Sequence, residues 1–299
     1  MKLPVRVLVT GARGFSGTNV IRALLAAGHE VYAVAGRKGT DRLRHDQKTT
    51  PNLTVLVGDL AERVSLPDCV DAVVHTAAVS PGPGIVATAD DFARNNTEVT
   101  RRLVRWAKDH GAKVFIYFSS VSVFGRIDGP VVDEKTLRVE PDAYGVSKWM
   151  GEVFLSEQEA ALASLSLRLP SVIGPKAVRN WPSTMVDMAK EGREIVFFHG
   201  DAAYNNAVHV DDLCRLVVGV LAMDLKGHDV VTLGADGTMK VRDMVSAIAR
   251  GFGNRSPIRE IPAPRPAFTI SSERAKQRYG YQPMAMPDMI ARFVAENRN

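Results

Sequence analysis

Cysteine is nearly absent from this chain, with only Cys69 and Cys214 among 299 residues. The two lie in different predicted elements and fall in no metal-ligand spacing. A disulfide framework and a metal site are therefore not expected, and a reducing compartment is. No apolar run has the length needed to cross a bilayer. Met1-Lys2-Leu3-Pro4 leads straight into the apolar run Val5–Val9, without the regions of a secretory leader. The expectation is a cytoplasmic protein with no membrane partner. Aromatic residues make up 7% of the chain, and no block of Lys and Arg is interleaved with them. The net charge of +5 is therefore read as a mildly basic surface able to attract an anionic small molecule, not as a nucleic-acid interface. Repeats and low-complexity tracts are absent as well.

What is present is an ordinary globular composition, 45% hydrophobic and 24% charged. Short apolar runs at Val5–Val9, Val31–Ala35, Leu53–Val57, Ala72–His75 and Val114–Phe118 alternate with helical patterns such as Gly17–Ala27 and Asp91–His110. The runs are apolar throughout, as strands covered on both faces are. This alternation predicts an α/β fold, a doubly wound parallel sheet of the Rossmann type. A helix is expected over Tyr144–Ala161 and a further core strand over Ser164–Leu169. Beyond Gly174 the segments shorten and proline becomes frequent. Helices are expected there at Pro182–Glu191, Val210–Met223, Val241–Phe252, Ser272–Tyr279 and Pro287–Glu296. Residues 1–173 are assigned to a dinucleotide-binding domain, to which 205–233 return, and 174–299 mainly to a smaller substrate-binding lobe.

The first strand runs into Thr10-Gly11-Ala12-Arg13-Gly14-Phe15-Ser16-Gly17 and then a helix. Gly11 permits a tight turn, Gly14 lets backbone approach a pyrophosphate at the helix N-terminus, and Gly17 lets helix and strand pack closely. The loop residues Gly11, Arg13, Gly14, Phe15, Ser16 and Gly17 are expected at a dinucleotide. A carboxylate commonly ends the second strand of an NAD site. Here that strand ends in Gly36-Arg37-Lys38. Arg37, Lys38 and Arg13 suit a 2′-phosphate, so NADP is preferred, with NAD possible as the alternative.

Tyr144 and Lys148 stand four apart at a helix start, on one face. A phenol with its reference pKa near 10 needs help to move protons at neutral pH, and an adjacent ammonium would lower it. Upstream, the fifth strand ends in Ser119-Ser120-Val121-Ser122, at the sheet edge where ligands bind in open α/β folds. Ser120, Tyr144 and Lys148 are the candidate catalytic set. Ser120, Ser122 and Ser171 are candidates to hold substrate.

Together these segments resemble the extended short-chain dehydrogenase/reductases, the NAD(P)-dependent sugar epimerases, dehydratases and reductases, over nearly the whole chain. The likeness includes Gly58-Asp59-Leu60, His75-Thr76-Ala77-Ala78, Asn96-Thr97-Glu98-Val99-Thr100, Ser119–Gly125, Arg168–Pro175 and Val208-His209-Val210-Asp211-Asp212. The resemblance implies cofactor contacts at Asp59, Leu60, Thr76, Ala77, Ala78, Asn96, Ser119 and Pro170, besides Tyr144 and Lys148. It implies a homodimer through the helices Asp91–His110 and Tyr144–Ala161, and a sugar or nucleotide sugar as substrate. His75 is expected in the cofactor wall and Asn96 in support of the active-site loop. His209, Asp211 and Asp212 are expected to organise a helix start.

Departures from the family pattern narrow the chemistry. The family's water-eliminating members carry Asp-Glu where this chain has Val121-Ser122, which speaks against dehydration. The diphosphate-binding Arg before the late motif is replaced by Asn205, leaving Lys176 or Arg179 as substitutes. The expectation is hydride transfer at a carbinol or ketone carbon by an NADPH-dependent reductase. The alternatives are a nucleotide-sugar epimerase retaining NAD, or a non-catalytic dinucleotide sensor.

Overall fold

The computed structural model describes residues 4–298 apart from Arg63, Pro83 and the side chain of Arg42. The reading of Met1, Lys2 and Leu3 as a leaderless start lies outside these residues. The chain divides into two compact units, Met1–Gly125 with Glu140–Arg168 and Cys214–Val231, and Arg126–Val139 with Leu169–Leu213 and Thr232–Asn299.

The first unit carries β1 (Arg6–Thr10), α1 (Phe15–Ala26), β2 (Glu30–Ala35), α2 (Asp41–Thr49), β3 (Leu53–Val57) and β4 (Ala72–His75). There follow α3 (Ala89–Phe92), α4 (Val99–Asp109), β5 (Val114–Ser120) and α5 (Ala143–Ser156). The strands Ala163–Leu169 and His228–Thr232 complete a seven-stranded sheet, ordered β3-β2-β1-β4-β5 and then these two. The pairs β1/β2, β2/β3, β1/β4 and β4/β5 all run parallel. From β1 the chain winds outward through β2 and β3, then crosses back to β4 on the other side. This reversal opens a crevice at the carboxyl ends of β1 and β4. Register brings Thr10, His75 and Tyr117 side by side at those ends.

Burial explains the unbroken apolar runs. Leu8, Val73 and Phe115 of three adjacent strands share a core with Leu103, Val104 and Ala107 of α4 and Leu155 of α5. Each such large side chain contributes roughly 1.5–3 kcal/mol on burial. The helical pattern over Asp91–His110 is realised as α3 and α4 joined by a π-helical stretch, Ala93–Glu98. α5 ends at Ser156, five residues short of the expectation. In the first unit two elements have no counterpart in the sequence reading, α2, in which Leu43 is the only core residue among those described, and the strand His228–Thr232.

The second unit holds α6 (Trp181–Glu191), the start of α7 (Val210–Leu221), α8 (Val241–Gly251), α9 (Glu273–Tyr279) and α10 (Met286–Glu296). α8 packs against α6 and α10. Asn180 caps α6 by accepting from the Ser183 amide, Pro182 opens it and Gly192 closes it in the left-handed region. Only two-residue and three-residue strands pair here, among them Ser171–Ile173 with Ala207–His209.

The unit boundaries differ from the sequence assignment, for local reasons. Residues 126–139 join the second unit because Val131–Val132 pairs with Thr269–Ile270 and Glu134 accepts from the Thr232 amide and hydroxyl. The first unit gives way after Arg168 instead of at 173, since Ser171–Ile173 is committed to Ala207–His209. For the same reason the returning segment is Cys214–Val231, narrower than 205–233.

Candidate active site

The glycine loop is built for close backbone approach. Gly11 has φ +69, and a Cβ there would stand 2.7 Å from Thr76 Oγ1 and 2.8 Å from the Ala77 nitrogen. A Cβ on Gly17 would overlap the Gly11 carbonyl oxygen. Gly14 is the N-cap of α1 with no side-chain cap, and no acid stands in the first turn. The helix therefore presents backbone donors and the positive end of its dipole with no internal anion to satisfy them.

In front of this loop lies a cavity of about 580 Å³. Of the expected cofactor residues, Gly11, Arg13, Gly14, Arg37, Lys38, Asp59, Leu60, Ala77 and Ala78 line it. Arg13 lies against Gly39, where a Cβ would meet its guanidinium at 2.8 Å. Glu62 also lines the cavity, 3.9 Å from Arg37, and was not anticipated. Its signal was weak, because it sits beyond the Gly58-Asp59-Leu60 motif in a loop. Phe15, Ser16, Gly17 and Thr76 do not line the cavity. The Thr76 hydroxyl turns back to donate to the Thr10 carbonyl at 2.7 Å. The glycine cradle, the uncapped helix end and the cationic end of β2 fit a dinucleotide phosphate chain.

At the end of β5 the chain enters a 3-10 turn, Val121–Phe124. Ser120 Oγ accepts from the Ser122 amide and donates to Ser122 Oγ, both at 3.1 Å. α5 starts at Asp142, whose carboxylate accepts from the Gly145 amide at 2.7 Å. Gly145 is needed there, since a Cβ would overlap the Ser122 carbonyl. The serine turn and the start of α5 are thereby pressed together, and the Ser120 hydroxyl engages the Tyr144 phenol. The Tyr144 ring rests on Phe92, with centroids 5.7 Å apart. It borders a cavity of about 210 Å³ that includes Ile85, Ala87 and Ala89.

The electrostatics differ from the expectation that Lys148 would lower the Tyr144 pKa. Burial pushes Tyr144 up to about 12, with the Ser120 hydrogen bond pulling partly back. Burial pushes Lys148 down to about 7, opposed by Glu152. The Lys148 Nζ instead lies 4.7 Å from the centre of the Tyr117 ring. The two groups share a helix face, but desolvation outweighs their mutual effect.

Several expected site residues are turned inward. Ser119 Oγ donates to Glu152 Oε1 at 2.7 Å, and Arg168 binds the same carboxylate through Nε at 2.9 Å and Nη2 at 2.7 Å. This buried pair sits directly under the serine turn. Asn96 accepts from the Val79 amide at 2.8 Å and donates to the Val79 carbonyl at 2.9 Å and to Ser147 Oγ at 3.0 Å. Its amide thus pins the loop after β4 to α5, while Asn95 faces the cofactor cavity. His75 is held between Thr10 Oγ1 at 2.6 Å and Thr100 Oγ1 at 3.0 Å, and burial drives its pKa down to about 3. It is a neutral wall residue.

In the second unit, Pro170 and Ser171 are half-buried, and the Ser171 hydroxyl engages Tyr204. Asn205 is committed to structure, accepting from the Ile270 amide and donating to its carbonyl, both at 2.8 Å. Lys176 and Arg179 are exposed in a loop with φ of 64 and 65. Trp181, Phe198 and Tyr204 form an aromatic cluster beside a cavity of about 250 Å³. His209, Asp211 and Glu296 come within ligand distance of one another, but Arg292 binds both carboxylates. Asp212 accepts from the Met284 amide at 2.7 Å.

Comparison with known proteins agrees with this fold. A family model described as the NAD dependent epimerase/dehydratase family matches residues 7–234. A UDP-glucose 4-epimerase of Corynebacterium glutamicum is 25% identical over 303 residues, covering 93% of this chain and 91% of that protein. A D-erythronate dehydrogenase of Cupriavidus necator is 32% identical over 180 residues, 56% of this chain and 55% of that protein. The crystal structure of a mutant UDP-glucuronic acid 4-epimerase from Bacillus cereus, in complex with UDP-4-deoxy-4-fluoro-glucuronic acid and NAD, superposes with a TM-score of 0.83. It is 21% identical, covering 97% of this chain and 98% of that one.

Proposed function

The chain belongs to the NAD-dependent epimerase/dehydratase family, enzymes of the extended short-chain dehydrogenase/reductase type, and from that premise we propose an NADPH-dependent reductase acting on a sugar or nucleotide-sugar ketone. The observation that carries the cofactor preference is the end of β2. There Gly36, Arg37 and Lys38 line the cavity with Arg13, and the strand itself ends in no carboxylate, the Glu62 carboxylate of a neighbouring loop lying 3.9 Å from Arg37. Gly11, Gly14 and the first turn of α1 would hold the pyrophosphate, with Asp59, Leu60, Ala77 and Ala78 around the rest of the cofactor. When bound, the nicotinamide supplies or accepts the hydride.

The remaining steps fall to this chain's own residues. Tyr144 is neutral at pH 7 and donates the proton to the substrate oxygen as it becomes a hydroxyl. Ser120, backed by Ser122, orients that oxygen and the phenol together. Lys148 supplies positive charge next to the reacting groups at and below neutral pH. Pro170 is proposed as a further cofactor contact and Ser171 as a further substrate contact. Val121 and Ser122 offer no carboxylate for elimination.

The second reading is a nucleotide-sugar epimerase retaining NAD. It is favoured by relatives that match over most of their length, among them UDP-glucose 4-epimerases of C. glutamicum and Azospirillum brasilense. A dinucleotide sensor is a weaker third reading, since sensing does not require Ser120, Tyr144 and Lys148 to be assembled. Titration with NADPH and NADH, followed by fluorescence, separates the first two readings. Tight NADPH with weak NADH supports the reductase. NAD that stays with the protein through purification, with no net cofactor consumption on turnover, replaces it with the epimerase. Tyr144→Phe is expected to lower turnover about 10³-fold with cofactor affinity preserved. Full activity in that variant removes Tyr144 from the reaction.

The proposed assembly is a homodimer through α4 and α5, whose outer surface leaves Val146 40% and Trp149 36% exposed. Light scattering coupled to gel filtration tests it, a monomer at micromolar concentration being the refuting result. No helix among the described residues is long and apolar enough to cross a membrane. Cys69 and Cys214 are free thiols, and a cytoplasmic setting is part of the proposal.

A further inference from the structure

Lys148 is only 3% exposed, and among the described residues no hydrogen bond or salt bridge reaches its ammonium. An ammonium with little solvent contact and no polar partner is costly to keep charged and tends to neutralise. The nearest group that favours the charged form by direct contact is the face of Tyr117, with Nζ 4.7 Å from the ring centre. Tyr117 is itself fully buried and is fixed from two sides. On one, it stacks on His75, its register partner in β4, at 5.6 Å and 25°. On the other, α5 bears on it at Gly151, where a Cβ would stand 2.5 Å from the Tyr117 oxygen. Lys148 and Gly151 are three residues apart on α5. The missing side chain lets the ring lie close to the helix while the lysine reaches over it.

The other titratable groups around Lys148 contribute less directly. Glu152, one turn on along α5, is already engaged by Arg168 and Ser119. His75 of β4 is neutral, and Tyr144 of α5 is an uncharged phenol. A ring face opposite a desolvated ammonium is one of the stronger forms of this contact.

We infer that Tyr117 is a positioning residue, its ring face holding the Lys148 ammonium charged and in place within the buried site. The inference rests on the reading that Lys148 serves the reaction. It concerns an ionisation that can be observed without turnover. The phenolic oxygen faces Thr100 and is not the operative part, because it is the ring face that lies against Nζ.

The test uses the full chain labelled with ¹³Cε-lysine. The Lys148 resonance is assigned by its loss in Lys148→Met and titrated by NMR without cofactor. Tyr117→Leu should move the Lys148 titration about one pH unit lower, a tenfold change in its proton equilibrium. Tyr117→Phe, which keeps the ring, should restore it to the wild-type position. Should the leucine variant not fold, pentafluorophenylalanine at position 117 keeps the shape and reverses the ring's charge distribution, and should produce the same downward move. A Lys148 titration unmoved by loss or fluorination of the ring overturns the inference, as does a Phe variant displaced as far as the Leu one. In the active enzyme, the alkaline limb of the kcat/KM profile should move acidward in step with the NMR titration. If Lys148→Met retains turnover, the catalytic reading of Lys148 fails on its own, and the NMR result still decides the role of Tyr117.

Discussion

Replacing Lys148 with methionine should make the protein more stable while disabling it. Burial takes the Lys148 pKa from 10.5 to about 7. At 1.36 kcal/mol per pH unit this displacement amounts to on the order of 5 kcal/mol of destabilisation while the lysine is charged in the unfolded chain. Methionine keeps an unbranched stem of similar reach and carries no charge. A gain of a few kcal/mol, on the order of the burial cost, is expected at pH 6. The sign follows from proton linkage. Below about 7 the folded and unfolded chains both carry the proton, and the full burial cost is present. Between about 7 and 10.5 only the unfolded chain holds it, so wild-type stability rises with pH and the advantage of the variant fades. Urea unfolding followed by far-ultraviolet circular dichroism at pH 6, 8 and 10 measures this directly. A variant that is less stable at pH 6, or whose advantage does not shrink toward pH 10, refutes the reasoning. It would mean that the ammonium is solvated or ion-paired in solution.

Three further outcomes are expected. Gly17→Ala forces a Cβ onto the Gly11 carbonyl, and backbone cannot yield as a side-chain tip can. It should cost about 1–3 kcal/mol and weaken dinucleotide binding, read by thermal unfolding and fluorescence titration. Arg168→Met strands the Glu152 carboxylate in the core and should cost about 3–5 kcal/mol, whereas also changing Glu152 to Met should recover most of it. Urea midpoints of the single and double variants check this pair. Arg37→Ala should weaken NADPH about tenfold and leave NADH unchanged. An equal loss for both cofactors would count against contact with a 2′-phosphate.

The sequence by itself determined the winding of the sheet and the position of its crevice. Unbroken apolar runs can be satisfied only by strands covered on both faces, and Gly11, Gly14 and Gly17 mark where backbone must approach backbone. Tyr144 and Lys148 were legible because helical spacing fixes their shared face. α2 was not, since it buries little more than Leu43 and leaves almost no periodic signal. Other features depend on contacts between residues distant in sequence. Asn96 and Ser119 sit in motifs that suggest cofactor contact, yet packing spends their hydrogen bonds on Val79, Ser147 and Glu152. Asn205 reads as a vacated phosphate site but is consumed by the backbone of Ile270. The protonation states of Tyr144, Lys148 and His75 were decided by tertiary structure alone. Spacing along the chain fixes which groups are neighbours, but only the surrounding fold fixes how much water each one loses.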